Sequence, residues 1–322
     1  MKLCRRIRVV VLATLALAGV ARAEVAPLAR VADLPAAARP TGVPLDYVVT
    51  PAGYFHASCV VHVDDGEQLT SEGDVLRRDL SVRHVSACRH IHYDMRGGAR
   101  SPEAEGVDAR PAAAFSGWLA DSQSSGTPAA SQMAADWIVP AAPTSNAGQT
   151  LYYFPGLEAS PDVVTILQPV LGWNSYSNGT WTMANWNCCK SGTVYTGNPI
   201  TVRAGDSIHG AMVGTGCART TPCSSWTITS TDMTTGQATT LKTSAYGQIF
   251  NWYFGGVMEV YGVSTCTQLP ASGGITFTNV LVHDVSNAIV QPAWRTSISS
   301  SAPRCGYVVN ASTNQTQITF TP

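Results

Sequence analysis

Between Lys242 and Asp284 the only charged side chain is Glu259, set in the apolar run FGGVMEVYGV (254–263). Alternate side chains of a strand share a face, so Val257, Glu259, Tyr261 and Val263 project together. Burial of a lone carboxyl raises its pKa unless donors offset the loss of water. A second strand-like run, TILQPVLGW (165–173), carries Gln168 on one face with Ile166 and Val170. Pro169 biases Gln168 toward extended backbone, and its missing N–H predicts an edge position or a bulge. A carboxyl and a carboxamide on facing strands make a hydrolytic pair. The acid takes a proton from water as it attacks a carbonyl and later delivers one to the leaving nitrogen. The amide N–H holds the oxyanion. This chemistry calls for no metal and no cofactor. The competing reading is structural: Glu259 bonded to a neighbouring Tyr, Trp or backbone amide, and Gln168 a satisfied buried amide.

The elements that must position these two groups are strands. From Phe115 onward, short β-branched and aromatic runs alternate with turn residues about every ten positions, the signature of a sandwich or barrel. Asn178-Gly179 marks a hairpin between TILQPVLGWN and TWTMANWN, and Asp206 in AGDSI reads as a turn former. Charge divides the chain: residues 24 to 114 hold 22 charged side chains, whereas residues 115 to 322 hold 14. The stretch RGGARSPEAEGVDARPAAA (96–114) between them reads as an exposed linker and a processing site. The expected organisation is a signal peptide (1–23), an N-terminal module (24–95) serving as a prosegment, the linker (96–114) and a β-sandwich catalytic domain (115–322).

The first 23 residues have a basic start, an apolar run from Val9 to Val20 and small residues at Ala21 and Ala23, the pattern of a cleaved export signal. Without them the chain keeps 15 basic and 21 acidic residues, a net charge of −6, which disfavours nucleic acid as a partner. No later stretch is long and apolar enough for a membrane span. Eight cysteines remain, and an even number in an exported chain argues for disulfides. Cys59 with Cys88 and Cys217 with Cys223 are the natural pairs. Cys188 and Cys189 are expected to reach different partners, with Cys266 and Cys305 as candidates.

Five of the seven histidines fall between His56 and His92. His90 and His92 would share a strand face, but their spacing fits no zinc pattern, and a prosegment loosened by protonation accounts better for the cluster. The aromatic residues of the second region include Trp173 and Trp186; most belong to the core, and some line a groove suited to a peptide or a glycan. Two rival functions follow, a non-catalytic glycan-binding sandwich and a glycoside hydrolase. The hydrolase needs a second carboxyl opposite Glu259. Glu158 and Asp162 are the candidates, but Glu158 ends a strand and Asp162 follows a Pro, so both read as loop residues. A serine protease is disfavoured, because no Gly-x-Ser-x-Gly elbow accompanies His209 or His283.

Several motifs occur in a telling order: SGWLADS, MAADWIVPAAP, YYFPGLE, ILQPVLGW, VRAGDSIHG, TSTDMTTGQATTL, GGVMEVYGV and GGITFTNV. Over residues 115 to 280 this series resembles the glutamic peptidases called eqolisins. The resemblance places the family's catalytic glutamine at Gln168, its catalytic glutamate at Glu259 and its opening tryptophan at Trp118. It implies a concanavalin A-like or jelly-roll sandwich of two antiparallel sheets, secretion with a propeptide, activity at acidic pH and no cofactor. Departures are Pro169 and Val170 where the family has small residues, Val260 where it has an aromatic, and a tail from Asp284 to Pro322 outside the likeness. The reading is therefore an exported acid endopeptidase, extracellular or periplasmic and monomeric. It takes polypeptide substrates, with Glu259 and Gln168 catalytic and Trp118, Trp173, Trp186 and Tyr261 supporting the site or binding substrate.

Overall fold

The computed structural model describes residues 26 to 100 and 114 to 322. The expected signal peptide and residues 101 to 113 of the expected linker lie outside the described residues. Strands and short 3-10 turns make up the regular structure, with no α-helix among the described residues. No helix there is long and apolar enough to cross a membrane.

The second region begins with β1 (Phe115–Ser125), β2 (Ala130–Ile138), β3 (Thr150–Glu158), β4 (Ile166–Trp173), β5 (Trp181–Cys188), β6 (Val194–Thr196), β7 (Ile200–Val202) and β8 (Ser207–Thr215). It continues with β9 (Ser225–Asp232), β10 (Ala238–Thr243), β11 (Trp252–Val263), β12 (Gly274–Asp284), β13 (Ile289–Val290), β14 (Arg295–Ile298), β15 (Val308–Ser312) and β16 (Gln315–Thr319). One sheet runs β14-β1-β11-β3-β4-β5-β6, with β7 also on β5. The other runs β15-β16-β12-β2-β8-β9-β10, with β13 beside β12. All these pairings are antiparallel, so the chain builds the expected all-β sandwich.

The N-terminal residues are woven into both sheets. Val60–His62 adds in parallel beyond β6, and Gln68–Leu69, Val75–Leu76 and Val82–Arg83 continue the second sheet beyond β10. Val48–Thr50, Gly53–Phe55, His92–Tyr93 and Ala99–Arg100 form a small sheet of their own.

Two cores result, one on each face of the first sheet. Its inner face sends Leu151, Tyr153, Leu167, Leu171, Met258 and Val260 against Trp137, Met212, Trp226 and Ile228 of the second sheet. Its outer face sends Tyr152, Phe154, Ile166, Val170, Val257 and Tyr261 against Val31, Leu34, Val49, Tyr54 and Phe55 of the N-terminal module. Fully burying one such side chain stabilises the fold by about 1.5–3 kcal/mol. The module is thus a third layer. This explains two sequence styles: β9 alternates buried and half-buried residues because one face meets solvent, whereas β4 and β5 are buried at every position. At Gly262 (φ 77°) the module comes so close that a Cβ would lie 2.9 Å from that of Ala38.

Two expectations need correction. Pro169 lies neither on an edge nor in a bulge of β4, which is a central strand between β3 and β5. The pairs Tyr153–Leu171 and Leu157–Leu167 set Pro169 level with Pro155 of β3, and no pairing joins the strands between them. Neither proline can supply an N–H to the ladder, and the gap in pairing falls where the two lie level. Among the cysteines, Cys59–Cys88 and Cys217–Cys223 pair as expected, but Cys188 and Cys189 bond to each other. Cys266 and Cys305, with Cα atoms 5.5 Å apart, satisfy one another and leave the neighbours to pair.

Candidate active site

Glu259 sits in the middle of β11 on the outer face, with no solvent exposure. Trp118 Nε1, across the pair with β1, donates to its Oε2 at 2.9 Å, and the Tyr261 hydroxyl donates to its Oε1 at 2.7 Å. Burial pushes the carboxyl up to about 8, and the two donors only partly oppose the shift. In this covered state Glu259 keeps its proton at acidic and neutral pH. Above it, Tyr54 of the module packs edge-on to Tyr261 at 5.3 Å, and the Tyr152 hydroxyl donates to the Val49 carbonyl at 3.0 Å. Trp118 and Tyr261 are thus the two side chains that hydrogen-bond to Glu259.

Gln168 lies on the same outer face of β4, opposite Trp186 of β5. It too is fully buried, and neither Oε1 nor Nε2 has a hydrogen-bond partner among the described residues. Leaving one buried amide unmatched costs roughly 1–3 kcal/mol per group. Such a group calls for a polar partner that the described residues do not supply, which is how a ligand-facing amide looks.

Glu259 and Gln168 share a face but do not meet. Glu259 faces Tyr152 of β3, whereas Gln168 is level with Gly156, four residues further along that strand. On a flat sheet, two strand spacings of ~4.8 Å and four residues of ~3.4 Å put their Cα atoms about 17 Å apart. Phe154 stands between them on the same face. Trp186 lies beside Gln168, whereas Trp173 turns to the inner face, in the core between the two sheets.

Two further acids occupy the outer face. Asp121 of β1 pairs with Val257 and is 5% exposed; burial pushes it up to about 6, against hydrogen bonds from Gln123 and Ser297. Glu158, the last residue of β3, pairs with Trp252, and burial pushes it up to about 7. It ends a strand, as expected, but belongs to the ladder rather than to a loop, whereas Asp162 does lie outside the strands. Asp121 went unnoticed in the sequence, although in SGWLADSQSS it stands amid small and polar residues rather than apolar ones, which hides its burial. The histidines of the module engage one another and their neighbours: His56 stacks on His90 at 3.6 Å, His92 on Phe55 at 5.0 Å, and His84 bonds to Asp74 at 2.8 Å.

Fold and site together define a β-sandwich whose central sheet face carries buried acids and an unpaired amide beneath the chain's own N-terminal layer. No protein-family model matches the chain, and no curated protein matches it. Among solved structures it is similar to scytalido-glutamic peptidase with a peptide-based transition state analog, at 17% identity over 64% of this chain and 99% of that one, with a TM-score of 0.46. It is similar also to SCP-B, a member of the eqolisin family of peptidases in a complex with the tripeptide Ala-Ile-His, at 17% identity over 64% and 99% of the two chains and a TM-score of 0.45. For aspergilloglutamic peptidase from Aspergillus niger the values are 21% identity, 53% and 98% coverage and a TM-score of 0.38.

Proposed function

We propose that the chain is an exported endopeptidase of the glutamic type, hydrolysing polypeptides with a carboxyl group and the Gln168 amide on the outer face of the first sheet. The observation that supports it is the pairing of an unmatched, fully buried amide with protonated acids beneath a layer made by the N-terminal module. In this reading the module is a prosegment. Its removal returns water to the face, and the acids fall back toward the usual carboxylate range, where one of them can accept a proton. Gln168 then uses its N–H to hold the oxyanion of the tetrahedral intermediate. Glu259 is the acid nominated by the strand pattern, with Trp118 and Tyr261 fixing its orientation.

The test is to express the full chain, hold it at pH values from 3 to 7, and follow both its mass and its cleavage of an unfolded protein. Loss of the N-terminal module followed by cleavage that resists serine, cysteine and metal reagents is expected. An intact chain with full activity removes the prosegment, and a chain that cuts nothing at any pH removes the peptidase.

One observation favours the glycoside hydrolase as a second reading. Asp121 and Glu259 lie diagonally on adjacent strands of one face, about 7–8 Å apart by that geometry, near the spacing of an acid and base pair that inverts a glycosidic centre. Release of reducing sugar from a polysaccharide panel separates the two.

A further inference from the structure

Gln168 has a nearer carboxyl than Glu259. Glu158 stands two residues beyond Gly156 on β3, so it is the diagonal neighbour of Gln168 on the shared outer face. Diagonal partners on adjacent strands lie about 7–8 Å apart, within reach of two long side chains. On the β3 side nothing directly across from Gln168 competes: Gly156 has no side chain, and beyond it on β11 stands Phe254; on the other side its neighbour is Trp186, which carries no carboxyl. The Ile166 Cδ1 atom leans over Gly156, 3.3 Å from where a Cβ would be, so the floor between the two polar groups is apolar. Glu158 is also partly open to solvent, whereas Glu259 has no exposure.

Resting on the peptidase reading above, we infer that Glu158 is the carboxyl that works with Gln168, and that Glu259 is a positioning residue that ties Trp118 and Tyr261 together. The Glu158 carboxylate removes a proton from water as the water oxygen bonds to the scissile carbonyl carbon. The carbonyl electron pair moves onto its oxygen, and the Gln168 amide N–H holds that oxyanion. The protonated Glu158 then gives its proton to the amide nitrogen as the C–N bond breaks. The oxyanion reforms a carbonyl, leaving a carboxylic acid, an amine and a regenerated carboxylate. In the covered chain burial alone pushes Glu158 up to about 7, with no hydrogen bond opposing it; once the module is removed the group falls back toward the usual carboxylate range, where it is base enough to take the proton from water and, once protonated, acid enough to give it to nitrogen.

The experiment compares wild type, Glu158→Gln and Glu259→Gln as full chains after acid incubation, using fluorescein-labelled casein as substrate and reading kcat, KM and the pH profile. Glu158→Gln is expected to lower kcat by about 100-fold or more, leave KM within about threefold, and erase the limb of the pH profile that wild type owes to this carboxyl. Near-UV circular dichroism checks the fold. Should the amide variant fail to fold, Glu158→Asp replaces it, keeping the charge but withdrawing it by one methylene; a lowered kcat with the limb retained gives the same answer. A Glu158→Gln protein with wild-type kcat overturns the inference, and if Glu259→Gln is then inactive the peptidase reading stands with Glu259 as its acid. A wild type that leaves casein uncut overturns both.

Discussion

Replacing Glu259 by Gln should change how stability depends on pH, and the structure sets the size of the change. The carboxyl is shifted from 4.5 to about 8 by burial. Between those values the folded chain holds a proton that the unfolded chain has released, so wild-type stability falls as pH rises through this window. Each pH unit contributes about 1.4 kcal/mol, so the group costs roughly 3 kcal/mol between pH 5 and pH 7. Glutamine fits the same bonds. Its carbonyl can accept from Trp118 Nε1, and its NH2 can donate to the Tyr261 oxygen, the two partners that now hold the acid. Glu158 and Asp121 titrate in both proteins and cancel in the comparison. Urea unfolding of the oxidised full chain at pH 5, 6 and 7 should therefore show the variant gaining on wild type by about 3 kcal/mol across the series. Parallel profiles would refute the reasoning, since they would mean that Glu259 is already ionised in the folded protein.

Tyr152→Phe removes the hydroxyl that donates to Val49 and leaves that carbonyl unmatched, so the module should loosen by about 1 kcal/mol; limited proteolysis of the N-terminal region should speed up, and an unchanged rate would count against the contact. His62 is held below its usual value by burial, with Asp64 pulling the other way. Its neutral form is favoured in the fold, so its contribution is intact above about pH 6.5 and fades as pH falls below that value. Hydrogen exchange at Val60–His62 should rise on acidification, and His62→Gln should blunt the rise.

Glu259 and Gln168 were legible because each interrupts an apolar run, and alternation then fixed their shared face. The same alternation puts Trp173, five residues from Gln168, on the opposite face, which the sequence already implied. YYFPGLE and ILQPVLGW are apolar along nearly their whole length, which fits their burial on both faces, but nothing in them shows that residues from Leu28 to Phe55 provide the outer cover. The register was the hidden part. Pro169 reads as an interruption when taken alone; only its alignment with Pro155 across β3 and β4 shows that the gap in pairing is shared and that Glu158, not Glu259, comes to lie beside Gln168. Vicinal Cys188 and Cys189 were misread for a related reason, because the bond between Cys266 and Cys305 depends on tertiary proximity.

The most direct test of the account is Gln168→Met, which keeps the length of the side chain and discards the amide. If Gln168 is held unmatched for catalysis, the variant should be more stable than wild type by about 1–3 kcal/mol and should lose casein cleavage by about 100-fold or more after acid incubation. A Met variant that cleaves casein at the wild-type rate would contradict the account.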